Sequence, residues 1–156
     1  MKRCLTIMLF LSVLSLPSVL FAADPIIGTW KTNHEESKGT QSSRDVIEVY
    51  AAIEVDMIEA TWTATRKDGS TSVVKKIFPK EGGVAKYIDY EVPENILTTV
   101  IPVGSGDWYI AVMKNGRKMQ LRHITVSKDG KTLIETIQGL NNEGIPIDMR
   151  VVSDRL

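Results

Sequence analysis

Turn signals recur along this chain, and the residues between them alternate with period two. Lys67-Asp68-Gly69-Ser70, Gly82-Gly83, Gly104-Ser105-Gly106-Asp107, Lys114-Asn115-Gly116-Arg117, Lys128-Asp129-Gly130-Lys131 and Asn142-Glu143-Gly144 stand roughly 10–15 residues apart, save for the longer stretch between Gly83 and Gly104, the spacing of an antiparallel meander. Asn-Gly and Asp-Gly suit tight hairpins because both residue types tolerate positive φ. Between the turns, Ile47, Val49, Ala51 and Ile53 alternate with Glu48, Tyr50, Ala52 and Glu54. Ile58, Ala60, Trp62 and Ala64 alternate with Glu59, Thr61, Thr63 and Thr65. Such runs predict strands with one buried and one wet face. Strands are expected near 26–33, 45–54, 57–66, 72–79, 84–90, 96–101, 107–114, 117–126, 131–139 and 145–153. A flat sheet of that many hairpin-linked strands would expose its edges, and closure removes them. The expected fold is all-β, an antiparallel up-and-down barrel of about 8–10 strands. The polar segment His34–Arg44 is expected to be a loop or a short helix across one barrel end.

The first 23 residues predict an export signal. Lys2 and Arg3 precede the apolar run Leu5–Leu16, Pro17 breaks it, and Ala22-Ala23 offers a cleavage site. The run is short for a bilayer core of about 30 Å. The expected organisation is a cleaved signal peptide over 1–23 and a single barrel domain over 24–156, periplasmic or extracellular, with no membrane span in the mature protein. Cleavage would remove Cys4, the only cysteine, so the mature chain would depend on its core rather than on disulfides. It would also leave 17 basic against 19 acidic residues, a balance without a basic run that argues against a nucleic-acid partner.

Gly28-Thr29-Trp30-Lys31-x-Asn33, Ser37-Lys38, Val126-Ser127-x-Asp129-Gly130-Lys131-Thr132-Leu133 and Gly139…Gly144 occur in the order found in small exported bacterial lipocalin-like (calycin-type) proteins. The chain resembles that largely uncharacterised family, whose members typically begin GTWKLN..KS and end VS.DGKTLT.T..G. It departs at Thr32, Glu36, Glu135 and Ser153. The resemblance implies a barrel, and a structural pair in which Arg155 covers Trp30 across the closed end, a stack worth roughly 0.5–2 kcal/mol.

No catalytic motif stands out: there is no nucleophile elbow, HExxH or phosphate loop. No cofactor or metal is expected. His34-Glu35-Glu36 is the one local cluster of ligand types, and consecutive side chains rarely converge on one ion. His123 and Glu135 form the sharpest chemical candidate. A three-residue loop at Lys128–Gly130 would set them opposite each other, although a slip of one residue would turn Arg122 and Ile124 inward instead. The other candidates for a cavity lining are Tyr50, Trp62, Trp108, Met119, Arg122, Met149 and Arg150, since aromatics and methionines adapt to irregular apolar ligands and arginine suits a carboxylate. The expected function is non-enzymatic binding of a small apolar or amphipathic molecule. The alternatives are a solid-cored structural or interaction module of the cell envelope and, less favoured, an enzyme using His123 and Glu135.

Overall fold

The computed structural model describes residues 24–39, 45–88, 91–141 and 143–156, and the export signal expected at 1–23 lies outside them. The alternating runs form strands β1 (Gly28–Thr32), β2 (Asp45–Glu54), β3 (Met57–Thr65) and β4 (Thr71–Pro79). The short β5 (Gly83–Val84) and β6 (Lys86–Ile88) follow, then β7 (Ile96–Gly104), β8 (Asp107–Lys114), β9 (Arg117–Val126), β10 (Thr132–Leu140) and β11 (Pro146–Arg155). All pair antiparallel in one sheet, in the order β5-β7-β8-β9-β10-β11-β1-β2-β3-β4-β6. The sheet closes almost completely into a barrel, as the meander pattern predicts. No described helix is long and apolar enough to cross a membrane. The residues described between 34 and 39 form turns rather than a helix, with Lys38 bridged to Arg150, while 40–44 lie outside the described residues.

Two joints make the ring. At one, β1 lies between β11 and β2, with Trp30 opposite both Arg155 and Glu48. At the other, the segment expected as one strand over 84–90 is two pieces: β5 pairs with β7 and β6 with β4. Buried Ala85 joins them and donates its N–H to the Thr98 carbonyl at 2.9 Å.

Directly opposed residues of an antiparallel pair share a face, so the pairings decide what is inside. Trp30 opposes Glu48, and Glu48 opposes Trp62. Burying Trp30 therefore carries Glu48 and Trp62 inward. Alternation leaves the inward face of β2 open, and the pairing decides it: Glu48 and Tyr50 are each 4% exposed, whereas Ile47 and Ile53 are 38% and 43% exposed. On β3 the same pairing turns Ile58, Ala60 and Ala64 inward, where they are buried.

The interior is divided by height. The end carrying the β7–β8 and β9–β10 turns is packed with Ile26, Trp30, Ile58, Phe78, Trp108 and Leu133, among others. Phe78 meets Trp108 edge to face at 5.8 Å between centroids, a favoured aromatic geometry. The opposite half of the barrel is not filled in this way.

Candidate functional site

Above the apolar plug lies a layer of charge. Glu48 and Tyr50 reach it from β2, Lys76 from β4, Arg122 from β9 and Glu135 from β10. Tyr50 Oη donates to Glu48 Oε2 at 2.9 Å. Arg122 Nη2 lies 2.5 Å from Glu135 Oε1, although no N–H points squarely at that oxygen and Arg122 Nε is also buried without an acceptor. Breaking a buried pair of this kind strands a charge and costs about 3–5 kcal/mol.

The layer perturbs its own members. Burial first, then the charge of Glu135, pushes the Glu48 carboxyl up to about 7, against the pull of Arg122, Tyr50 and Lys76. Burial first, then the positive charge of Arg122, pushes Lys76 down to about 8. Burial and the neighbouring Glu48 hold the Tyr50 phenol well above its ordinary value. Burial also opposes the charge on Arg122, but Glu135 and Glu48 outweigh it and hold the guanidinium protonated.

A cavity of about 390 Å³ opens over this layer. Glu48, Tyr50, Lys76 and Arg122 supply its charged and phenolic lining, and Gln120, Tyr87 and Thr61 add polar groups. The rest is apolar: Ala60, Trp62, Val74, Ile137, Ile147 and Met149. A much smaller void of about 10 Å³ lies beside it, between Thr32, Glu48 and Glu135.

Of the residues expected to line a cavity, Tyr50, Trp62, Arg122 and Met149 do so. Glu135 faces inward and buttresses Arg122. Trp108 belongs to the apolar plug, where its indole N–H is buried with no acceptor among the described residues. Met119 falls at a bulge between the Val112–Gln120 and Met113–Lys118 pairs, and it lines an open surface groove with Lys114 and Leu140. Arg150 lies on the outer side, where it donates to the Glu36 carbonyl at 3.2 Å.

The couple expected between His123 and Glu135 does not form. Thr136 opposes His123, and Ile124 opposes Glu135. His123 packs on the outer face, 2.7 Å from Asp107 and stacked on Tyr109 at 4.3 Å. The cause is the β9–β10 turn. Ser127 opposes Thr132 rather than Lys131, so the loop has four residues instead of three: the Ser127 carbonyl accepts from Gly130 N, and Ser127 Oγ accepts from Thr132 N. One added residue flips the face of every side chain on the strand.

Glu48 and Lys76 were absent from the candidates that the sequence suggested. A strand glutamate between apolar neighbours reads as solvated, and so does one of two adjacent lysines. Lys75 fits that reading: it points outward and pairs with Glu59 at 3.3 Å. Period two then sends Lys76 inward.

At the closed end, the Arg155 guanidinium lies 4.1 Å from the Trp30 ring centroid. It also donates to the carbonyls of Pro25, Ile27 and Gly130. The N-terminal segment, the last strand and the β9–β10 turn are thereby fastened to one side chain.

Fold and site together define an antiparallel β-barrel, plugged by apolar residues at one end and holding a charged layer beneath a half-polar cavity. No protein-family model matches the chain, and no curated protein matches it in a sequence search.

Proposed function

We propose that this protein is an exported, lipocalin-like binder of a small amphipathic molecule, without catalytic turnover. The observation that carries this reading is the cavity of about 390 Å³ with charge at its floor and apolar side chains above. Its size falls within the usual range of small-molecule sites, about 300–1,000 Å³. A bound molecule would set its polar end against Lys76, Arg122 and Tyr50 and its apolar part against Trp62, Ile137 and Met149. A solid-cored module has no use for buried charges beside a cavity, because desolvating them costs several kcal/mol per ion on the order-of-magnitude scale. The GTWK and VSKDGKTL motifs support the lipocalin-like assignment, and the leader pattern supports export.

The test is a titration of the purified protein with apolar, anionic and carbonyl-bearing amphiphiles, read at the Trp62 indole by NMR. At least one class is expected to shift that resonance, and Ile137→Trp, which fills the cavity, should abolish the shift. Native mass spectrometry of protein from its own source would then identify a retained molecule. A Trp62 resonance that answers to none of these compounds would favour the structural module.

A further inference from the structure

Lys75 and Lys76 are neighbours in sequence and opposites in environment. Lys75 Nζ has Glu59 at 3.3 Å on the outer face. Lys76 lines the cavity, and no carboxylate among the described residues comes within 4.0 Å of its Nζ. The side chains around it are Glu48 and Tyr50 from β2, Arg122 from β9, Glu135 from β10 and Tyr87, which opposes it on β6. Glu135 is engaged by Arg122, and Glu48 accepts from Tyr50. Around Lys76 the desolvating walls and the Arg122 cation outweigh the pull of Glu135 and Glu48. Those are the two conditions that turn a lysine into a nucleophile.

We propose that Lys76 captures carbonyl compounds, aldehydes or ketones, as an imine inside the barrel, and that Glu48 supplies the proton that lets water leave. This rests on the binding reading above and names the chemical class of ligand. The Nζ lone pair adds to the carbonyl carbon, and the C=O π pair moves onto oxygen. Transfer of one nitrogen proton to that oxygen gives the carbinolamine. Glu48 protonates the hydroxyl, the C–O bond breaks, and water departs as the nitrogen lone pair forms C=N. The remaining nitrogen proton returns to the Glu48 carboxylate. Amine plus carbonyl gives imine plus water, with no change of oxidation state.

The two groups are matched to this task. Lys76 is held down to about 8 and Glu48 is held up to about 7, so near pH 7.5 roughly a quarter of each group is in its reactive form, and to either side one of the two forms is lost. Capture should follow a bell-shaped pH profile with its maximum near pH 7.5, roughly midway. The acid limb reports loss of the free amine and the alkaline limb loss of the protonated acid.

The experiment treats the purified protein with octanal and cyanoborohydride, which reduces an imine to a stable secondary amine, and maps the product by peptide mass. Lys76 is expected to be alkylated at least about tenfold faster than exposed Lys67, Lys80 and Lys128, although it is half-buried in the cavity wall. Lys76→Arg should remove that adduct, and Glu48→Gln should slow it about tenfold and erase the alkaline limb. Octanol, which cannot form an imine, serves as the control, with Trp62 as reporter. If octanol binds but Lys76 reacts no faster than the exposed lysines, covalent capture is overturned and the binding reading stands. If octanol leaves Trp62 unmoved and no lysine is selected, covalent capture falls, and the binding reading falls with it when the apolar and anionic amphiphiles also leave Trp62 unmoved. Because the selectivity is measured on the parent protein, the outcome does not depend on either variant folding.

Discussion

Glu48 sits where a barrel of this kind could have placed a leucine, and its carboxyl is held up to about 7 against an ordinary value of 4.5. The sign of the consequence follows from which state binds the proton. Below about pH 4.5 the group is protonated both folded and unfolded, so it imposes no penalty. Between 4.5 and about 7 the unfolded chain releases the proton while the folded one retains it, and stability falls as pH rises. Above about 7 the penalty is complete, on the order of 3 kcal/mol at one and a third kcal/mol per pK unit. Glu48→Gln keeps an oxygen for Tyr50 and removes the titration. Urea denaturation from pH 4 to 8 should therefore show a declining midpoint in the parent over this window and a flatter one in the variant, which becomes the more stable of the two near neutrality. A parent midpoint that rises over the window would mean that the carboxylate is stabilised in the fold.

At the scale of elements, the molecule depends on a few contacts that fix register and closure. On β10, Gly139 has φ 142, and a Cβ built there would run into the carbonyl oxygen of Met119 at the bulge. The bulge and the glycine thus fit each other, and the close approach leaves room for no side chain. At the β9–β10 turn, Asp129 accepts from Ser127 Oγ at 2.6 Å and from Lys131 N at 3.1 Å, and these bonds hold its carboxyl low. The closing joint depends on Arg155. Gly28 makes room for it, since a Cβ at that residue would collide with the guanidinium. Removing the side chain deletes the stack on Trp30 and three bonds to backbone carbonyls. Arg155→Ala should destabilise by at least about 2–4 kcal/mol, more than a stack alone, because a hydrogen bond involving a charged group is worth about 1.5–3 kcal/mol net. Chemical denaturation measures this directly. A loss below about 0.5 kcal/mol would show that the cap does not hold the joint.

For the molecule as a whole, the two joints are unequal. β1 is tied into the ring through Trp30, which is fully buried and covered by Arg155. The β5–β6 joint has only two and three residues of ladder, against nine opposed pairs between β10 and β11. Local opening is easiest where the fewest bonds must break together. Amide hydrogen exchange should therefore be fastest, among the strands, at Gly83–Ile88 and slowest in β10 and β11. The same joint borders the cavity through Tyr87, so a ligand that bridges Lys76 and Tyr87 should slow exchange there. Uniform protection around the ring would mean that the barrel has no weak side.

Alternation and turn chemistry were enough to establish much of this fold. The positions of the strands, their antiparallel order and the need to close all follow from short-range signals, because a glycine turn and a period-two run act over only a few residues. Tyr50, Trp62, Arg122 and Met149 were also legible as lining residues, since their size or charge suits a cavity. The inward face of β2 was not. Alternation gives the period of a strand but leaves open which half of the period is buried, and Ile47 with Val49 is the more apolar choice. Only the pairing of Glu48 with Trp30 and Trp62 settles it. The same holds for Glu135, whose partner depends on whether the turn after Ser127 has three residues or four. One residue there exchanges His123 for Arg122 across every turn of the pleat. The charged layer joins β2, β4, β9 and β10, which lie far apart in sequence, and it exists only once the ring has brought their inner faces together.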